Sequence, residues 1–281
     1  MRTNRFGAAG RDVSVIGQGT WYIERGPRAA AVSALQRGLD MGMTHIDTAE
    51  MYGSGQAEEV VAEAIKGRRA SCFVVSKVLP QNASRGGVIK ACDASLARLK
   101  TDHLDCYLLH WPGSHPLEGT IEGFERLKKE GKIRSWGVSN FDTGELDEAL
   151  SIAGPGAIAC NQVLYHLGER AIEHAVLPWC ERNDVALVGY SPFGHDDFPA
   201  PNTPGGYVLA EAAKAHNATP RQVALAFLTR KPSLFTIPKA ARTEHADDNA
   251  RAGDIILSKA EIAAIDYAFP LGRKGRGLPM L

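Results

Sequence analysis

The sequence predicts an α/β protein: a closed (β/α)8 barrel of the TIM type, with an N-terminal hairpin and an irregular C-terminal tail. Three observations lead there. Short apolar runs alternate with longer segments of helical periodicity, eight of each. No Gly-x-Gly-x-x-Gly turn follows an early run, as a doubly wound dinucleotide fold would need. The length of 281 residues suits a barrel, for which about 250 is typical. No stretch reads as a hinge, so residues 1–281 are expected to form one domain.

A hairpin around Gly7 and Gly10, pairing residues 5–6 with 13–16, is expected ahead of the barrel. Strands are expected at residues 18–20, 45–47, 72–77, 106–110, 133–138, 159–163, 186–190 and 234–237. Several lack strict alternation, which is how strands covered on both faces read. Helices are expected at 29–41, 58–66, 86–99, 120–129, 143–150, 171–182, 220–229 and 259–266. Within 86–99, Val88, Ala91, Cys92, Ser95, Leu96 and Leu99 form one stripe. Thr219 before Pro220 marks one helix start, and Thr143 is expected to cap another. Crossovers of this length imply parallel strands. Two segments stay irregular: 191–206, long and proline-rich, and 269–281. Both mix apolar with polar residues and are expected to wall or cover a pocket.

The chain is 44% hydrophobic, which speaks against disorder, and 32 basic residues balance 32 acidic ones. That balance offers no case for nucleic acid or an anionic membrane as partner. No apolar run reaches the roughly 18 residues of a membrane helix, and the first residues lack the apolar stretch of a secretion signal. A cytoplasmic protein with a small-molecule task is expected. Cys72, Cys92, Cys106, Cys160 and Cys180 are odd in number and widely spaced, against a disulfide framework or a metal site. A closed barrel has no free sheet edge, so a monomer is expected, with dimerisation open through helix faces.

Polar residues interrupt the apolar runs at their ends: Asp47 with Tyr52 five residues on, Lys77, His110, Ser139-Asn140, Gln162 and Tyr190-Ser191. In a barrel these ends share one mouth, where chemistry is housed. Each alone has an ordinary reading: Asp47 as a helix cap, Tyr52 as core cover, Lys77 in a surface pair, His110 as a packed imidazole. Together they carry more weight, because a lysine buried beside a carboxylate without use is costly. An Asp–Lys pair beside a phenol should lower its pKa and make Tyr52 a ready acid toward a developing alkoxide. A neutral His110 could orient the same oxygen. No side chain supplies a hydride; a nicotinamide cofactor would.

At these residues the chain resembles the aldo-keto reductase family, whose barrel mouth carries Asp, Tyr, Lys and His, here Asp47, Tyr52, Lys77 and His110. The segments Asp47-Thr48-Ala49-Glu50-Met51-Tyr52-Gly53, Gly137-Val138-Ser139-Asn140-Phe141 and Ile237-Pro238-Lys239-Ala240 resemble its signatures. Near the ends, Gly19-Thr20-Trp21-Tyr22 and the tail resemble bacterial members that reduce methylglyoxal and other small aldehydes. The resemblance implies NADPH, with NADH as a lesser alternative, lying across the mouth. Ser139, Asn140 and Gln162 would then bind the nicotinamide carboxamide, and Tyr190 would stack on its ring. Ser191 and Phe193 would line the pyrophosphate path. Lys239 would approach the ribose 2′-phosphate, and Asp248 and Asn249 the adenine. Where many NADPH-dependent relatives have Ser or Thr after the lysine and Arg six residues after it, this chain has Ala240 and His245. Arg242 could restore part of that charge. Trp21, Tyr22 and Trp111 are expected to form an aromatic substrate wall that His195, Phe198 and the tail close.

The implied reaction is reduction of a small aldehyde or ketone to an alcohol. Two rivals remain at this point: a Schiff-base lyase using Lys77, and a non-catalytic nicotinamide-binding barrel serving as a sensor.

Overall fold

The computed structural model describes residues 1–275 and 277–281; Arg276, within the expected tail, lies outside the described residues. Eight parallel strands form one sheet and pair in chain order. They are β3 (Gln18–Gly19), β4 (His45–Asp47), β5 (Phe73–Val78), β6 (Leu104–Leu109), β7 (Ile133–Ser139), β8 (Ile158–Leu164), β9 (Ala186–Tyr190) and β10 (Leu234–Thr236). The two ends of the sheet meet: Ile16 bridges Thr236 and Gly19 bridges Lys239, both in parallel. Across this seam the Gly17 N–H donates to the Thr236 carbonyl at 2.7 Å. Glycine is needed there, since a Cβ on Gly19 would stand 2.5 Å from the Ile237 carbonyl oxygen.

An antiparallel hairpin, β1 (Thr3–Arg5) with β2 (Asp12–Ser14), precedes the barrel. It delivers Phe6, fully buried, into the barrel floor against Phe73 and Phe235, with ring centroids 4.8 and 4.9 Å away. Phe73, Val75, Cys106, Leu108, Val188 and Phe235 belong to the same inner cluster. A second, larger apolar cluster lies between the sheet and the surrounding helices. This packing leaves the opposite end of the barrel free for polar side chains.

The described residues form ten α-helices: α1 (Arg28–Asp40), α2 (Gln56–Ala64), α3 (Arg85–Leu99), α4 (Leu117–Lys129), α5 (Thr143–Ala153), α6 (Val176–Arg182), α7 (Pro204–Ala215), α8 (Pro220–Leu228), α9 (Thr243–Arg251) and α10 (Lys259–Ala268). Every expected strand is present. The expected helix at 171–182 is divided instead, because Ala175 (φ −145°) separates a short 3-10 turn, Ala171–His174, from α6. Asp142 rather than Thr143 caps α5, its carboxylate accepting from the Gly144 and Glu145 N–H groups. Two helices were not expected. α7 shortens the irregular segment to 191–203 and starts on Thr203-Pro204, the same signal as Thr219-Pro220. Gly205 and Gly206 in its first turn hide it. α9 buries only Ala246, Asn249 and Ala250, too narrow an apolar face to read as a stripe. No helix among the described residues is long and apolar enough to cross a membrane.

Candidate active site

Lys77, near the end of β5, is buried together with Asp47 at the end of β4. Its ammonium donates to Asp47 Oδ1 at 2.6 Å, the Thr48 carbonyl at 2.9 Å and Tyr52 Oη at 3.1 Å. All three hydrogens are therefore committed. The other carboxylate oxygen of Asp47 accepts from Gln162 Nε2, on β8, at 2.7 Å. Thr20 Oγ holds the Asp47 carbonyl at 2.9 Å. Tyr52 returns over the mouth because Gly53, Ser54 and Gly55 are consecutively left-handed, with φ of 54°, 53° and 92°. His110 follows β6 and sets its ring 5.7 Å from that of Tyr52, at 72°. The four residues singled out in the sequence meet in space.

Burial raises the Tyr52 pKa, and the nearby Lys77 charge reduces that rise without reversing it. The expected lowering is thereby corrected: depth in the barrel outweighs the cation. The phenol consequently stays protonated at neutral pH, the state from which it can give a proton. Burial alone would lower the pKa of Lys77, but Asp47 and Tyr52 outweigh it and raise the value, so the group is an ammonium. Burial, and then the charge of Lys77, lower His110 to about 2, leaving a neutral imidazole. Its Nδ1 is buried without a partner.

Above these groups lies a cavity of about 330 Å³. Asp47, Tyr52 and His110 line it together with the expected Trp21, Tyr22, Trp111 and His195. Trp21 stacks on Tyr22 with centroids 4.4 Å apart, and Trp111 stands 4.8 Å from the His110 ring. Phe198 is a correction: it is not part of the wall but packs edge-on against Phe193 at 5.8 Å. Leu281, in the tail expected to close the opening, lines the cavity, and Gly19, Thr20, Met51 and Ile237 do so without having been foreseen. Apolar lining residues of this kind carry no sequence signal apart from the core.

On one side of the cavity the polar groups interlock. Ser139 Oγ donates to the Gln162 carbonyl at 2.9 Å and accepts from Asn140 Nδ2 at 3.2 Å. Tyr190 Oη donates to Asn140 Oδ1 at 3.0 Å, and burial pushes that phenol up to about 12. Asn140 and Ser191, in the turns after β7 and β9, adopt φ of 60° and 50°. Strained non-glycine residues of this kind collect where a side chain must be aimed. An aromatic face beside three amide- or hydroxyl-bearing side chains suits a flat carboxamide-bearing ring such as nicotinamide. Ser191 and Phe193 continue that wall, and Lys239 borders the cavity while remaining exposed.

The remaining expected cofactor residues stand outside the cavity wall. Arg242 Nη2 donates to His245 Nε2 at 2.6 Å, both side chains being exposed. Asp248 is engaged elsewhere, accepting from Gln222 Nε2 at 2.9 Å, and Asn249 is buried in α9. His245, Asp248 and Asn249 lie on α9, a helix the sequence did not reveal, and Arg242 precedes it as the N-cap.

Comparison with known proteins settles the family, since the model of the aldo/keto reductase family matches residues 15–269. The chain belongs to the aldo/keto reductase family. It is 44% identical over 274 residues to the methylglyoxal reductase YeaE of Escherichia coli K12, covering 96% of each chain. It is 30% identical to the glyoxal reductase of Bacillus subtilis, covering 92% of this chain and 89% of that one. Among solved structures, an aldo-keto reductase from Klebsiella pneumoniae in complex with NADPH superposes with a TM-score of 0.92 at 44% identity. That match covers 100% of this chain and 99% of the other. The Klebsiella reductase shares the barrel described above.

Proposed function

We propose that the chain reduces the carbonyl group of a small aldehyde or dicarbonyl, such as methylglyoxal, to an alcohol with NADPH, NADH serving less well. The observation that carries this reading is the spent ammonium of Lys77. Tyr52 Oη accepts one of its hydrogens, so the phenol's own hydrogen is free to go to a substrate oxygen.

Ser139, Asn140 and Gln162 would hold the nicotinamide carboxamide, with Tyr190 against the ring. Gln162 gives one of its two amide hydrogens to Asp47, so its side-chain carbonyl oxygen and its second amide hydrogen remain to meet the carboxamide. A reduced nicotinamide held there would supply the hydride that the carbonyl carbon takes up. As negative charge develops on the carbonyl oxygen, neutral His110 donates a hydrogen bond to it and Tyr52 delivers its proton. The phenolate left behind is stabilised by the Lys77 ammonium, whose charge Asp47 balances. Trp21, Tyr22, Trp111 and His195 leave a compact space suited to a small carbonyl compound. Lys239 and, more remotely, Arg242 would answer the 2′-phosphate.

A complete Asp47–Tyr52–Lys77–His110 arrangement weighs against the non-catalytic sensor. It also weighs against a Schiff-base lyase, because a lysine with its hydrogens committed and its pKa raised is a poor amine nucleophile. A monomer accords with the closed sheet, and the cytoplasm with five free, buried thiols. The test is consumption of NADPH, followed by its near-ultraviolet absorbance, across methylglyoxal, aromatic aldehydes and ketosteroids. Turnover greatest with the compact carbonyls is expected; no consumption with any would contradict the proposal.

A further inference from the structure

Residues 191–203 join β9 to α7, and Ser191 through His195 form one wall of the cavity. With φ of 50° at Ser191 and 72° at Gly194, no regular backbone ladder fixes the shape of this wall. A turn bond from the Gly194 N–H to the Ser191 carbonyl, 2.9 Å, and one from the His195 N–H to Asp197 Oδ1, 2.8 Å, shape its end, and packed side chains hold the rest. Phe193, in the wall, meets Phe198 edge-on. Arg221, in the first turn of α8, places its guanidinium carbon 4.9 Å from the centre of the Phe193 ring and 4.5 Å from that of Phe198. One cation is shared between two rings of the same segment, both within the range of cation–π attraction.

The base that carries Arg221 is firmly held. Thr219 and Gln222 close a capping box at the start of α8, and Gln222 Nε2 donates to the Asp248 carbonyl at 2.9 Å, tying α8 to α9. Among the described residues no carboxylate forms an ion pair with Arg221, so its charge is not already spent. A planar guanidinium suits this place, since it can stack on a ring face while its edge stays hydrated.

We infer that Arg221 is a positioning residue for the dinucleotide: by gripping Phe193 and Phe198 it holds the Ser191–Phe193 part of the wall, which flanks the proposed cofactor path, against the bound cofactor. The inference rests on the proposed function. Arg221 touches neither substrate nor the reacting atoms; it acts through Phe193.

The test compares wild type with Arg221→Met, which keeps an apolar stem without charge, Arg221→Lys and Phe198→Leu. NADPH affinity is measured by quenching of protein fluorescence, cofactor release by stopped flow, and KM for NADPH and for the carbonyl compound separately. Arg221→Met should weaken NADPH binding roughly three- to tenfold through faster release. Its carbonyl KM and thermal midpoint should remain near wild type. Arg221→Lys should recover part of the affinity, and Phe198→Leu should lose less than Arg221→Met. Wild-type NADPH affinity in Arg221→Met would overturn the inference. So would an equal rise in both KM values with a lowered midpoint, which would mark a merely structural role. Failure of the wild-type protein to bind NADPH would instead overturn the proposed function itself.

Discussion

At Lys77, three ammonium hydrogens meet three acceptors, and Asp47 is fixed from the far side of the barrel by Gln162. A buried cation this fully satisfied tolerates no loss of a partner. His45, two residues before Asp47 on the same strand, is the opposite case. It is fully buried with both ring nitrogens unpartnered, and burial lowers its pKa from 6.5 to about 4. Its proton is therefore excluded from the folded state more strongly than from the unfolded one. The stability this contributes is complete above pH 6.5 and is lost as pH falls from 6.5 toward 4. By pH 4.5 the loss is about 2 to 3 kcal/mol. Urea unfolding at pH 7 and pH 4.5 should show His45→Leu losing less stability on acidification than wild type; an unchanged loss would contradict the assignment. At this scale the sequence was informative where chemistry is rare in an apolar run, as at Asp47, Lys77 and His110. It was silent on depth, so the direction of the Tyr52 shift was misjudged. It was silent on orientation too, so Phe198 was placed in the wall.

Among the elements, strands were legible because short apolar runs bounded by glycines and polar residues have few other readings. Helices were legible where an apolar stripe was wide, as in α3, and missed where glycine opened the helix (α7) or charge surrounded it (α9). Start signals were legible in part: Thr219-Pro220 begins a helix as expected, the same signal at Thr203-Pro204 went unread, and Asp142 with Glu145, rather than Thr143, forms the cap of α5. α5 follows directly on the Ser139-Asn140 turn, yet its cap faces solvent. Asp142→Ala should accordingly cost about 1 kcal/mol of stability with kcat unchanged. Thermal unfolding alongside a turnover assay checks it, and a fall in kcat without loss of stability would mean that the cap aims Asn140.

For the whole molecule, closure at Gly19 brings residues distant in sequence to one mouth, and the Phe6 plug seals the other end. The floor is apolar around Phe6, and Asp47 with Lys77 forms a buried charged pair beneath the cavity. Geometry on this scale was implied by counting eight units, but cavity size and the walls around it emerged only from the packed chain. The central claim is that Tyr52 gives the proton while other groups hold the cofactor. Single-turnover reduction of methylglyoxal by Tyr52→Phe, measured beside its NADPH affinity, tests it most directly. The account predicts affinity within about twofold of wild type and a rate reduced roughly 10²- to 10⁴-fold. Reduction at the wild-type rate, or loss of NADPH binding with the rate of the bound fraction intact, would contradict it.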